Sequence, residues 1–437
     1  MRRSWLRLFA VLLSLSLVAA ACGDDDDSDT DAGGTTTTGA PADRGNVDGT
    51  LKVGSLLPET GDLAFLGPPM IKGVEMAIRD INAAGGVFGK DVEHVQADDG
   101  TDPDVAATAI GPLLTSDKID VLVGAAATGV TQAVVDRVSG ALVPQCSPSN
   151  TGSNLTAESS TDPADDYYFR TPPADDLQAL ALADLIVDDG HETVAIVTLN
   201  NEYGRGFAEH LAPALEEAGA EVVLDFGYDE KATTFDAEAQ RVLDADADAV
   251  ALVAYPDTGS KVIAAMIEAG VGPDDLPMYV TDGLQSTALA GAVDPDDASV
   301  LEGVKGTVPS AAPPTGAAFF PDAFAEFAPD VDTIYSAHAY DCTVIFALAA
   351  AIADSDAGPD IQAEVVGVTS VGEKCSTFEE CIALVEAGTD IDYDGAAGAL
   401  EFTDAGEPGA GTYDIWVFDA EGGTETLDSV DVSGAAA

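Results

Sequence analysis

Residues 193–225 read Thr193-Val-Ala-Ile-Val-Thr-Leu199, Asn200-Asn-Glu-Tyr-Gly-Arg-Gly-Phe-Ala-Glu-His-Leu-Ala-Pro-Ala-Leu-Glu-Glu-Ala-Gly219 and Ala220-Glu-Val-Val-Leu-Asp225. The first run is short, apolar and β-branched, as in a strand covered on both faces. Arg205 to Gly219 reads as a helix that stops at a glycine, and Glu221 to Asp225 as the next strand. A strand, a helix and a second strand joined this tightly make a parallel crossover unit.

The same order extends in both directions. Leu177 to Asp188 reads as a helix before the unit; after it come helix Phe235–Ala245, strand Ala249–Ala254, helix Ser260–Ala269 and strand Met278–Val280. An earlier series begins with strand Leu51–Leu57. Helix Pro69–Ala83 follows, with Ile71, Val74, Ala77, Ile78 and Ile81 on one face. Then come strand Val92–Ala97, helix Val105–Leu114, strand Val121–Gly124, helix Thr131–Gly140 and strand Leu142–Gln145. Two such series predict an α/β fold of two doubly wound lobes, whose ligands bind beyond the carboxyl ends of the strands. The last third is less regular: strand Val304–Val308, helices Ala317–Phe327 and Tyr335–Ala353, strands Leu400–Phe402 and Tyr413–Asp419, and a hairpin through Gly422-Gly423 into Thr424–Leu427.

The N-terminus addresses the chain to export. Arg2, Arg3 and Arg7 precede an apolar run from Leu8 to Val18, then Ala19-Ala-Ala21 and Cys22. The run is too short to cross a bilayer and reads as a signal peptide over 1–21. A cysteine after a small-residue cleavage site resembles a bacterial lipobox, so Cys22 is expected to carry lipid. The usual leucine three residues earlier is Ala19, and a plain signal peptide is the alternative. Residues 22–49, with Asp24–Asp27 and Thr35–Thr38, are too polar to build a core and read as a tether. The expected address is the outer face of the cytoplasmic membrane.

Removing 21 of 437 residues leaves 416, more than one core usually serves. With 17 basic and 78 acidic residues the net charge is −61, which excludes nucleic acid as a partner. Of five cysteines, four remain after Cys22 and allow three pairings. Cys375 and Cys381 are expected to staple locally, leaving Cys146 and Cys342 to pair or to stay free and buried. The four histidines stand at no ligand spacing to these cysteines, so no metal is expected.

Six stretches resemble one known family. They are Gly73-Val-Glu-Met-Ala-Ile-Arg-Asp-Ile-Asn-Ala-Ala-Gly-Gly86, Asp98-Asp-Gly-Thr-Asp-Pro103, Ser147-Pro-Ser-Asn-Thr151 with Leu155-Thr156, Tyr168-Phe-Arg-Thr171, Asn201-Glu-Tyr-Gly-Arg-Gly206 and Ala339-Tyr-Asp341. In this order they resemble the type I periplasmic binding proteins, in the leucine/isoleucine/valine-binding branch of ABC-transporter receptors. The resemblance runs from about Leu51 to Phe418 and implies a Venus-flytrap pair of Rossmann-like lobes joined by three crossings. It puts these near Thr171, Gly306 and Ala397, with one lobe over 50–171 plus 306–397 and the other over 172–305 plus 398–432. It implies a monomer that hands its solute to a permease.

The resemblance also implies a site for an amino-acid zwitterion, which needs donors for a carboxylate and acceptors for an ammonium. Thr128, in Ala127-Thr-Gly-Val-Thr131, falls at the hydroxyl that meets the carboxylate; the plain reading is a helix cap. Ser149, Asn150 and Thr151 fall where backbone and hydroxyl groups meet the polar head, with Asn150 replacing a residue that is often small. Asp282 falls at the carboxylate for the ammonium. Tyr203 and Tyr255 fall at aromatic positions that close over the ligand, and Leu66 near the side-chain pocket, where an aromatic is common.

No GxSxG, HExxH or phosphate loop is present, so the chain reads as neither an enzyme nor a cofactor carrier. The alternatives kept are a sensor built on the same fold, and a different ligand such as an amide or urea. The spread of Asp suits a salty habitat in which charges are screened. Stability is therefore expected to fall on dialysis into low salt, where the Debye length grows to about 30 Å at 0.01 M. A denaturation midpoint that does not move would remove salt adaptation as the reason for the acidity.

Overall fold

The computed structural model describes residues 47–158, 167–311 and 318–433. The signal segment 1–21, Cys22 and the tether through residue 46 lie outside these residues, as does Ala317. The tether ends earlier than Gly49: the backbone N–H groups of Asp48 and Gly49 donate to Asp356 Oδ2 at 2.8 and 2.5 Å.

The first lobe opens with β1 (Lys52–Leu57), α1 (Gly67–Ala83), β2 (Glu93–Asp98), α2 (Pro103–Pro112), β3 (Val121–Gly124), α3 (Thr128–Gly140), β4 (Gln145–Ser147), α4 (Asn154–Glu158) and β5 (Tyr168–Arg170). Its five strands form a parallel sheet in the order β2-β1-β3-β4-β5. The second lobe continues with α5 (Asp175–Asp188), β6 (Thr193–Leu199), α6 (Glu202–Ala218), β7 (Glu221–Tyr228), α7 (Asp236–Ala245), β8 (Ala249–Val253), α8 (Pro256–Ala269), β9 (Met278–Val280), α9 (Leu289–Val293) and β10 (Lys305–Pro309). The chain then returns through α10 (Phe320–Phe327), α11 (Ser336–Ala353), α12 (Gly358–Val368), β11 (Glu373–Cys375), α13 (Phe378–Glu386), β12 (Ile391–Gly395) and β13 (Gly398–Ala399), and ends with β14 (Ala410–Phe418) and β15 (Thr424–Ser433).

The second sheet has the order β15-β14-β10-β9-β8-β6-β7. Strands β6 to β10 are parallel, and β14 and β15 add an antiparallel edge. In chain order both parallel sheets run second-first-third-fourth-fifth. Each therefore has a switch point between its first and third strands, β1/β3 and β6/β8, where a crevice opens.

Several sequence expectations are corrected. Gly306 is not a crossing, because it sits inside β10, paired with Val280 of β9 and Trp416 of β14. A Cβ there would meet the Trp416 indole at 2.5 Å, which explains the glycine. The second crossing follows Pro309, so the first lobe does not start again at 306. The third follows Ala399, because β13 still pairs with β12. Leu400–Phe402 is not a strand: Glu401 has φ +41, which breaks the extended run. The strand expected over Leu142–Gln145 is β4, displaced to Gln145–Ser147 because Leu142 is left-handed at φ +61.

Helix α11 is long and apolar enough to cross a membrane, yet 83% of it is buried in the protein. It packs along α1 and against β3 and β4, and so is a core helix of the first lobe. Cys342 on α11 is bonded to Cys146 on β4, with Cα atoms 5.7 Å apart. Cys375 and Cys381 form the local bridge, at 5.3 Å.

Two buried polar side chains brace the chain next to the crossings. Asp341 on α11 accepts from the backbone N–H of Ala396 (2.8 Å) and Ala397 (2.8 Å) and from Tyr393 Oη (2.7 Å). Arg170, at the end of β5, is fully buried. Its Nε donates to Glu407 Oε2 at 2.6 Å and its NH1 to the Gly152 carbonyl at 2.9 Å. Removing one partner of such a pair leaves the other charge buried and unmatched. Arg170→Ala is expected to destabilise by about 3–5 kcal/mol, read from urea denaturation; a loss under about 1 kcal/mol would mean that Glu407 finds water instead.

Candidate functional site

One wall of the interlobe cleft grows from the switch point of the first sheet. Strand β3 ends at Gly124, whose φ is +121 and whose missing Cβ would collide with the Leu56 carbonyl. The chain then runs through Ala125 to Ala127 into α3. Ala127 is the N-cap, and Thr128 is the first helical residue, so its hydroxyl is not the cap. The helix start presents backbone N–H groups that have no partner within the helix. The loop after β4 folds onto this turn: Ser147 Oγ donates to the Ala125 carbonyl at 2.7 Å and Ser149 Oγ to that of Ala126 at 3.1 Å.

Asn150 does not face the cleft. It is fully buried; its Nδ2 donates to the Ala126 carbonyl at 2.6 Å and its Oδ1 accepts from Tyr168 Oη at 3.0 Å. It braces the loop that carries Ser149 and Thr151, which corrects the expectation that it reaches a ligand.

The opposite wall grows from the second sheet. Tyr203 lies in the first turn of α6 and Tyr255 is the N-cap of α8. Their rings stack with centroids 5.5 Å apart and planes 2° off parallel. Asp282 follows β9 after one residue, Thr281. Its Oδ1 accepts from Gln178 Nε2 and Tyr203 Oη, each at 3.0 Å, and its Oδ2 from Tyr335 Oη at 3.0 Å. Tyr335 stands at the start of α11, in the first lobe, so this last bond crosses the cleft. Burial raises the pKa of Asp282 although all three donors oppose the rise. Asp175, in the first turn of α5, is also fully buried. Neither of its oxygens has a partner of good geometry. Burial, and next the charge of Asp282, hold its pKa well above the usual carboxylate range, with the Thr151 side chain opposing.

Leu63, Leu66, Ala126, Thr128, Ser149, Thr151, Tyr203, Tyr255, Asp282 and Gly283 line one cavity of about 10 Å³. That is room for about one water molecule. The cleft between these walls is thus shut. Hydroxyls and a helix start line one side, and a carboxylate the other. This polarity matches a molecule with an anionic and a cationic end.

Gln178, Asp175 and Tyr335 were not singled out by the sequence. Asp175 and Gln178 sit at the start of an ordinary helix, and Tyr335 at the start of another; their partner Asp282 lies 104 residues from Gln178 and 53 from Tyr335. No local pattern marks such meetings. Asp392, Asp394 and Glu401 gather closely enough for a metal ion. Lys374 Nζ already sits 2.9, 2.9 and 3.0 Å from their oxygens, and its ammonium takes the cation's place.

Residues 50–424 match the family model described as periplasmic binding protein. The "Chemotactic signal transduction system substrate-binding protein BasB" of Halobacterium salinarum is 28% identical over 82% of this chain and 85% of its own. A leucine-, isoleucine-, valine-, threonine- and alanine-binding protein of Pseudomonas aeruginosa is 28% identical over 60% of this chain and 67% of its own. Among solved structures, the branched-chain amino acid transporter substrate binding protein LivJ of Streptococcus pneumoniae, in complex with isoleucine, superposes with a TM-score of 0.71. It covers 88% of this chain and all of its own at 23% identity, a likeness of fold. These relatives are binding proteins and not enzymes. The chain belongs to the type I periplasmic binding proteins, in their leucine/isoleucine/valine-binding family.

Proposed function

We propose that this protein is exported, anchored at the outer face of the cytoplasmic membrane through lipid on Cys22, and captures an amino acid for an ABC-transporter permease. The observation that carries the ligand class is the pairing of Asp282 on one wall with Thr128, Ser149 and Thr151 on the other, all on one cavity. The ammonium goes to Asp282; the carboxylate goes to the hydroxyls and the start of α3. Leu63 and Leu66 give the side chain an apolar neighbour, which suits leucine, isoleucine or valine. The printed names of the relatives, and the isoleucine held by the Streptococcus pneumoniae protein, agree with that class. Relatives of this fold also hold benzoate and 4-hydroxybenzoate, which have no ammonium to set against Asp282.

A second reading is capture for signalling. It is favoured by BasB, whose printed name places it in a chemotactic system and which matches over most of both chains. In either reading the cleft chemistry is the same. Pull-down from membranes with ligand present separates them, by whether a permease or a transducer is recovered.

In a thermal-shift screen of the twenty amino acids, amides and urea, an aliphatic amino acid is expected to stabilise most, by about 2.7 kcal/mol at 100 times its Kd. A shift produced only by solutes without an ammonium would end the amino-acid reading. Asp282→Asn is expected to weaken leucine binding about 100-fold or more, as loss of a buried charge partner does. The unliganded melting temperature should hold or rise, since burial already disfavours the ionised carboxylate.

The pH dependence follows in sign. An ammonium requires ionised Asp282, whose pKa is raised in the closed protein. Below that raised pKa the carboxyl must first lose its proton, so affinity falls as pH drops through it and is full above it. Calorimetry in two buffers of different ionisation heat should show proton release on binding in that window, and none for Asp282→Asn.

A further inference from the structure

A buried acid stands behind the cleft wall, and the amino-acid reading gives it no task. Asp175, in the first turn of α5, is fully buried and is not among the residues that line the cavity. Neither Oδ1 nor Oδ2 has a hydrogen-bond partner of good geometry. A helix start usually offers such a side chain backbone N–H groups, yet none bonds to it here. The charged groups that face it are Asp282, Arg170 and Asp176. The two aspartates oppose a charge on it. Arg170 already donates to Glu407, the Gly152 carbonyl and Thr156 Oγ1. Tyr203, Tyr255, Tyr335 and Tyr413 also feel Asp175, and burial keeps each of them neutral. An ionised carboxylate without donors is far more costly to bury than a neutral acid, so these surroundings favour the protonated form.

A neutral acid has one O–H to give. Thr151 is placed to take it. The Asp175 backbone N–H donates to the Thr151 carbonyl at 2.7 Å, which sets the two residues side by side. The Thr151 side chain is also the hydrogen-bonding group that counters the effect of burial on Asp175. A hydroxyl has one hydrogen and two lone pairs. Facing an ionised Asp175, Thr151 would turn its hydrogen inward and could only accept from a solute. Facing a neutral one, it accepts from the acid, which is the stronger donor. Its own hydrogen is then free for the cavity that it lines.

We propose that Asp175 is a positioning residue that keeps a proton in the shut cleft and thereby turns the Thr151 hydroxyl toward the ligand as a donor. Two neighbouring carboxylates then hold different states because their surroundings differ. Asp282 has three donors of its own and ionises to meet an ammonium. Asp175 has none, stays neutral, and serves the carboxylate end through Thr151. What Thr151 meets rests on the amino-acid reading; the proton on Asp175 rests on its surroundings alone.

The test compares leucine affinity, by calorimetry, in Asp175→Asn and Asp175→Leu. Asparagine keeps an N–H donor in the same place, so Asp175→Asn should hold the Kd within about threefold. Leucine keeps the approximate size without the donor, and Asp175→Leu should raise the Kd about tenfold, as loss of one hydrogen bond to a charged group does. In a double-mutant cycle, Thr151→Val should weaken binding by itself and add little on top of Asp175→Leu. Difference infrared spectra between the parent and Asp175→Asn, with and without leucine, should show the carbonyl band of a protonated carboxylic acid. The proposal is overturned if that band is absent, if Asp175→Asn weakens binding as much as Asp175→Leu, or if the Thr151 and Asp175 effects simply add. If the parent does not bind leucine while the band is present, the amino-acid reading fails and the protonated Asp175 stands.

Discussion

One buried guanidinium carries the mechanics of this protein. Arg170 ends the last strand of the first sheet and reaches three things at once: Glu407 on the third crossing, the Gly152 carbonyl, and Thr156 Oγ1 at 2.5 Å. Gly152 directly follows the loop of Ser149 and Thr151. The turn that leads back into the second lobe and the loop that forms one wall of the cleft are therefore tied to a single side chain. Its backbone N–H adds a bond to the Gly406 carbonyl at 3.1 Å. Charge buried this deeply is tolerable only because its donors are matched by a carboxylate and by carbonyl and hydroxyl oxygens. In a chain with 17 basic residues, spending one in the interior fixes geometry that weaker contacts would leave loose.

The cleft follows from the repetition of one topology. Each lobe places its switch point between its first and third strands, and loops at the strand ends supply the lining. Leu63 and Leu66 follow β1, Thr128 follows β3, Ser149 and Thr151 follow β4, Tyr203 follows β6, Tyr255 follows β8 and Asp282 follows β9. Turned face to face, the two crevices make a single cavity with opposite polar character on its walls. The helix start at Thr128 and the carboxylate at Asp282 oppose each other because different lobes own them, and they share one cavity only with the lobes together.

Much of this was visible in the sequence because it is local. Apolar runs bounded by glycine and proline give the strands and helices, while the seven cavity-lining positions, six polar and Leu66, were reached only through the family resemblance. Sheet membership is not local. The strand at Lys305–Pro309 looks the same whether it belongs to one lobe or the other, and Trp416, more than 100 residues on, decides the matter by occupying the space over Gly306. Asn150 misled for a related reason. A polar side chain after a strand can serve the loop as easily as the ligand, and here the Ala126 carbonyl claims it. The helix at Phe378–Glu386, around the second cysteine of the local bridge, has no counterpart in the sequence reading.

The acidity of the chain gives its buried carboxylates a sharper meaning. Most of the 78 acidic side chains can stay in solvent, so those in the interior stand where nothing else would serve. Asp341 grips the turn between β12 and β13, just ahead of the third crossing, and Asp356 the start of the fold, each surrounded by donors. Asp175 and Asp282 are different, since they face each other's charge and Asp175 has no donor of good geometry. In the shut, empty cleft the pair disfavours its own ionised form. Parting the lobes would return the second wall to water and lower that cost. An ammonium placed against Asp282 would offset the same cost from within. Under the amino-acid reading proposed above, a cationic head would relieve this burial by contact, and a ligand that does so in the shut cleft more than in an open one would draw the lobes together.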